Sequence, residues 1–81
     1  MSGEATGAAV YELDATGLKC PMPVLRARRA LKPLAAGDSL LVRADDPASA
    51  KDFPAFCETT GHVLESASEA DGEFRFLIRK A

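Results

Sequence analysis

The sequence predicts an α+β two-layer sandwich, a four-stranded mixed sheet with two helices on one face, in the order β-α-β-α-β-β. Three observations predict it. Two short strand-like runs each lead through a turn into an apolar-periodic stretch that opens with a proline. The C-terminal run Phe74-Arg75-Phe76-Leu77-Ile78-Arg79 alternates with a period of two. A turn cluster, Glu69-Ala70-Asp71-Gly72, separates that run from the one before it, as in an antiparallel hairpin. The 81 residues suffice for one small domain, placed at 10–81. The Gly/Ala/Ser-rich residues 1–9 read as a disordered N-terminal tail.

Val10 to Asp14 is the first strand, with Tyr11 and Leu13 on one face. Ala15 to Lys19 turns through Gly17. The first helix is predicted from Pro21 to Leu34, because Val24, Ala27, Leu31 and Leu34 form one apolar stripe. Pro33 lies in its last turn, so the helix is expected to end or kink near Lys32. Ser39 to Ala44 is the second strand, with Leu40 and Val42 on one face. Asp46-Pro47 reads as the cap and start of a second helix carrying Phe53, Phe56, Cys57 and Thr60. Pro54 either restarts or kinks that helix, and Gly61 suits the position just past its end, where φ is positive. His62 to Ala67 and Glu73 to Arg79 are the last two strands. The two βα units predict right-handed crossovers with parallel pairing.

A domain this short buries about 60–65% of its unfolded surface. No deep substrate cavity is expected within one subunit, so chemistry should be shallow and shared with a partner. The net charge of −2 gives no general reason to expect nucleic-acid binding. The distribution is uneven. Lys19, Arg26, Arg28, Arg29 and Lys32 fall in one stretch without an acid, while the rest of the chain is strongly acidic. A basic helix on an acidic body reads either as a solvated helix face or as a site for an acidic partner near Cys20. No signal peptide is recognisable, and no stretch approaches the roughly 18 apolar residues of a membrane span. Two cysteines without a secretion signal point to free thiols in a reducing cytoplasm. Their spacing matches no zinc or C-x-x-C pattern, and no phosphate-binding or dinucleotide-binding glycine motif is present.

The residue that carries chemistry is Cys20, in the run Gly17-Leu18-Lys19-Cys20-Pro21-Met22-Pro23-Val24. Proline is favoured at the first helical position, which places Cys20 at the N-cap. There the helix dipole stabilises a thiolate, the nucleophilic form of cysteine. Pro21 and Pro23 lack N–H groups, so Met22 and Val24 are left to point theirs at the sulfur. Both prolines stiffen the turn and present the thiol outward, and Lys19 adds a nearby cation. With about 100° per residue, Met22, Leu25, Arg26 and Arg29 cluster on the face opposite the buried stripe. They read as scattered surface residues or as a docking spot for proteins that exchange something with the thiol. Cys57 falls on the apolar stripe and reads as a buried, inert residue. His62 reads as a strand-entry residue, Asp46 as a helix cap and Asp45 as a strand-end acid.

Together these residues resemble the TusA/SirA-like sulfur carriers over about residues 10–80. The resemblance rests on Leu13-Asp14, the Cys20-Pro21-Met22-Pro23 core, Ala44-Asp45-Asp46-Pro47, Asp52-Phe53-Pro54-Ala55-Phe56-Cys57, Gly61-His62 and the ending Phe74 to Lys80. It implies the same two-layer fold. It also implies that Cys20 takes a sulfane sulfur as a persulfide from a cysteine desulfurase or a rhodanese. The sulfur then passes to a DsrE-like relay protein, for tRNA 2-thiouridine synthesis, molybdenum-cofactor assembly or sulfur oxidation. No cofactor, metal, membrane or direct nucleic-acid partner is implied. Members tied to tRNA thiolation often carry Glu between the two prolines, where this chain has Met22, which changes the charge at the docking tip. Two other classes remain open at this point. One is a non-catalytic regulatory module binding protein or RNA through the basic helix. The other is a redox enzyme cycling a Cys20–Cys57 disulfide, which needs the two Cα atoms within about 7 Å.

Overall fold

The computed structural model describes residues 9–81, so most of the predicted tail lies outside the described residues. Ala9 does not belong to that tail. Its carbonyl accepts from the Ser39 amide at 2.8 Å, and its own amide donates to Asp38 Oδ1 at 3.1 Å. The elements are β1 (Val10–Asp14), α1 (Met22–Leu31), β2 (Ser39–Ala44), α2 (Ser49–Thr60), β3 (Val63–Ala70) and β4 (Glu73–Arg79). The predicted β-α-β-α-β-β order and the four-stranded mixed sheet are both present.

The strands lie in the order β1-β2-β4-β3. β1 pairs with β2 in parallel, Leu13 opposite Val42. The second βα unit does not pair in parallel as predicted. β4 lies between β2 and β3, antiparallel to both. Composition explains this. β4 carries Phe74, Phe76 and Ile78 and gains most from a central position. β3, with the sequence VLESASEA, has few apolar side chains and is exposed along most of its length, which suits an edge. β3 also begins one residue later and runs three residues further than predicted, to Ala70. A two-residue connection, Asp71-Gly72, then closes the hairpin. Both have positive φ (53° and 79°), the conformation that matches the twist of paired strands and that Asp-Gly adopts readily.

The core forms where the two helices meet the sheet. Ala27 and Leu31 of α1, and Phe53, Phe56 and Cys57 of α2, pack on Leu40, Val42, Phe76 and Ile78. The rings of Phe53 and Phe76 stack with centroids 4.5 Å apart, which locks α2 onto the central strand. α1 stops at Leu31, three residues short of Leu34 and next to Lys32, where Pro33 predicts an end or kink. Pro33 has no N–H with which to continue the ladder, and just past the helix end Lys80 Nζ donates to the carbonyls of Lys32 (2.8 Å) and Leu34 (2.7 Å). α2 begins at Ser49 and runs unbroken through Pro54, so Pro54 does not restart it. Gly61 ends it in the left-handed conformation at φ 85°. Among the described residues no helix is long and apolar enough to cross a membrane.

Candidate functional site

The N-terminal ends of α1 and α2 lie at the same end of the sheet, because each helix follows a strand running in one direction. That topology brings the β1–α1 loop beside the first turn of α2. Cys20 is exposed, on a loop that three carboxylates hold in place. Both Asp45 side-chain oxygens accept from the Gly17 amide, at 3.0 and 3.1 Å. Asp46 Oδ2 accepts from the Cys20 amide, while its Oδ1 accepts from Ala48 at 3.3 Å. Cys20 Sγ donates to Asp52 Oδ2 at 3.1 Å.

These contacts revise several sequence expectations. Cys20 is not the N-cap. Pro21 holds that position, after a cis Cys20–Pro21 peptide, and α1 starts at Met22. The Met22 amide donates to the Lys19 carbonyl at 2.8 Å and is not aimed at the sulfur. Asp46 does not cap α2, whose N-cap is Ala48. It ties the loop down instead, as does Asp45. Nor is the resting thiol acidified. The hydrogen bond to Asp52 raises the Cys20 pKa, with smaller upward contributions from desolvation and from the charges of Asp52 and Asp46. At neutral pH the sulfur carries a proton, directed at Asp52. Asp52 opens the Asp52-to-Cys57 run that the resemblance rests on, but nothing in that run assigned it a role at the thiol. The available signal was topological: two βα units in one sheet set the first turns of their helices side by side, and Asp52 is the acid in the first turn of α2.

Cys20 opens into a shallow groove of about 400 Å³ between the helices. From α1 the wall is Pro21, Val24 and Arg28; from α2 it is Asp52, Ala55, Phe56 and Thr59. Each set lies on one helical stripe, so the groove follows the two helix axes. Of the predicted shaping residues, Lys19 is exposed beside the thiol, Pro23 is buried under the turn and Val24 is half-buried. Met22 (38% exposed) and Leu25 (46%) stand at the surface with Arg26 and Arg29, away from the groove wall. Cys57 is buried at 4% exposure, and burial pushes its thiol pKa up. Both cysteines are free. His62 Nδ1 accepts from the Ala81 amide at 3.1 Å, beyond the end of α2.

A small two-layer domain with one thiol on the rim of a shallow groove is built for exchange with another molecule, not for enclosing a substrate: it has the form of a thiol carrier. The comparisons give the family. Residues 11–80 match the family model described as Sulfurtransferase TusA, and the chain belongs to that family of sulfur carriers. It is 50% identical over 70 residues to the sulfur carrier protein TusA of Allochromatium vinosum, covering 86% of this chain and 92% of that one. It is 54% identical over 67 residues to a putative sulfur carrier protein of Neisseria meningitidis serogroup A, covering 83% and 90%. The crystal structure of a SirA-like protein from Desulfitobacterium hafniense superposes with a TM-score of 0.74. Its identity is 32%, and the match covers 88% of this chain and 95% of that one.

Proposed function

We propose that the chain is a cytoplasmic persulfide carrier that takes sulfane sulfur on Cys20 from a cysteine desulfurase or a rhodanese. It hands that sulfur to a DsrE-like relay protein in the service of tRNA 2-thiouridine synthesis. The observation that carries the reading is the exposed Cys20 sulfur at the groove mouth, on a loop anchored by Asp45 and Asp46.

The exchange is Cys20–SH + R–S–SH → Cys20–S–SH + R–SH. Cys20 attacks the outer sulfur of the donor persulfide, the donor S–S bond breaks, and the departing donor thiolate takes up the proton that Cys20 gives up. Asp52 Oδ2, already hydrogen-bonded to Sγ, is placed to receive that proton first. The acceptor then repeats the attack on the outer sulfur of Cys20. A shallow groove suits both dockings, because neither partner has to withdraw its cysteine from an enclosed pocket. Met22, Leu25, Arg26 and Arg29 supply the adjoining docking face, an apolar patch rimmed by arginine. Relays feeding sulfur oxidation or molybdenum-cofactor assembly use the same step and differ in the acceptor.

The test is intact-mass spectrometry after incubation with a cysteine desulfurase and cysteine. Wild type and Cys57→Ala are expected to gain one sulfur that reductant removes, and Cys20→Ala none. Failure of Cys20 to gain sulfur from either a desulfurase or a rhodanese would overturn the carrier reading.

A further inference from the structure

We propose that Asp52 reads the loading state of Cys20. It holds the empty carrier's sulfhydryl against the α2 wall of the groove through the Sγ–H···Oδ2 hydrogen bond, and it releases the loaded side chain outward. The inference rests on the carrier reading and deepens it.

The argument follows the hydrogen. In the empty protein Sγ carries one hydrogen, and Asp52 Oδ2, 3.1 Å away, is its acceptor. In the persulfide, Sγ is bonded to carbon and to the outer sulfur and has no hydrogen left. The bond that holds the empty side chain therefore ceases to exist on loading. The outer sulfur does not replace it, because a persulfide is a stronger acid than its thiol and carries negative charge at neutral pH. Two carboxylates, Asp52 and Asp46, then face an anion where they had faced a neutral thiol. The charges on the other sides are Lys19, exposed beside Cys20 on the loop, and Arg28 on the α1 wall of the groove. Repulsion from α2 and attraction toward these cations both draw the loaded sulfur off Asp52.

This gives the two states different shapes at the docking surface. The empty carrier presents a sulfur tucked against α2. The loaded carrier presents a sulfur swung away from it. A donor and an acceptor that fit one shape each would then bind in the productive order without any change in the backbone.

The experiment uses the full chain with Cys57→Ala, so that Cys20 is the sole thiol. Sulfur is installed chemically. Cys20 is converted to its mixed disulfide with 2-thiopyridine, and hydrosulfide then attacks Sγ to form Cys20–S–SH and expel pyridine-2-thiolate. Empty and loaded proteins are alkylated with neutral iodoacetamide and anionic iodoacetate. The iodoacetate-to-iodoacetamide rate ratio, read by mass spectrometry and normalised to glutathione in the same sulfur state, reports the charge around the reacting sulfur. The ratio is expected to rise by about threefold or more on loading at low salt, as the sulfur leaves the carboxylates. In Asp52→Asn it is expected to be the same in both states. Asp52 is half-buried in the first turn of α2 and outside the core, so the substitution leaves the fold in place. A ratio that stays level or falls on loading of the Cys57→Ala protein would overturn the inference, as would the full rise persisting in Asp52→Asn. Because the sulfur is added chemically, either result counts against Asp52 alone, whereas failure of donor enzymes to load Cys20 counts against the carrier reading alone.

Discussion

Cys20 Sγ donates a hydrogen bond to Asp52 Oδ2 across 32 residues of sequence, at 3.1 Å, and this contact raises the pKa of the thiol. An exposed cysteine at the start of a helix would ordinarily gain thiolate character. Here a carboxylate occupies the place where a stabilising donor would sit. The result is a protonated thiol that stays exposed at the mouth of the groove.

The first prediction concerns pH. Alkylation of Cys20 by iodoacetamide follows the thiolate fraction, and Asp52 raises the thiol pKa, so the wild-type rate should climb at a higher pH than that of an unperturbed cysteine. Removing the carboxylate charge in Asp52→Asn should move the midpoint down and make alkylation faster at neutral pH. Rate–pH profiles measured on the Cys57→Ala background check this. An unchanged midpoint would mean that the hydrogen bond does not control the thiol.

A second prediction concerns the loop. Gly17 and Cys20 each give their amide hydrogen to a distant carboxylate, Asp45 and Asp46. In Asp45→Ala the Gly17 amide, and in Asp46→Ala the Cys20 amide, should exchange with solvent at least about tenfold faster, since a hydrogen bond to a charged group contributes about 1.5–3 kcal/mol. Sulfur loading should slow in both variants while the core amides of β2 and β4 keep their protection. Hydrogen exchange followed by NMR reads both sets of amides at once.

The proposed docking face makes a third. Arg26 and Arg29 are exposed and lie off the groove wall. Arg26→Glu or Arg29→Glu should lower kcat/KM for loading by a desulfurase about fivefold at low salt, with the loss shrinking as salt screens the charges. The thermal midpoint should stay where it is. Equal loading rates at low salt would remove these residues from the interface.

The core makes a fourth. Phe53 is fully buried and stacks on Phe76, tying α2 to the central strand. Phe53→Ala should cost about 3–5 kcal/mol, a large part of the roughly 5–15 kcal/mol that holds a domain together. Because Asp52 is its neighbour in sequence, loss of α2 docking should abolish the thiol's upward pKa displacement together with the fold. Urea titration by circular dichroism measures the first effect, and alkylation near the midpoint the second.

The amino-acid sequence by itself determined what depends on neighbours along the chain. The period of two in β4, the apolar stripes of both helices and the Asp71-Gly72 turn are local patterns, and each element they predict is present. The same is true of the buried Cys57, whose place on the α2 stripe is a matter of helical spacing. The position of β4 between β2 and β3 was not legible as a pairing pattern, because it depends on which strand buries most when central. The end of α1 was legible, because Pro33 lacks the N–H that would continue the ladder; that Lys80 Nζ takes the carbonyls of Lys32 and Leu34 just beyond it was not, because Lys80 lies far along the chain. Only the tertiary structure decided the chemistry of Cys20. Asp45, Asp46 and Asp52 reach the β1–α1 loop because two successive βα units align the starts of their helices. A hydrogen bond across 32 residues leaves no periodicity in the sequence. The motif placed the sulfur; the packing of α2 beside it decided that the resting sulfur keeps its proton.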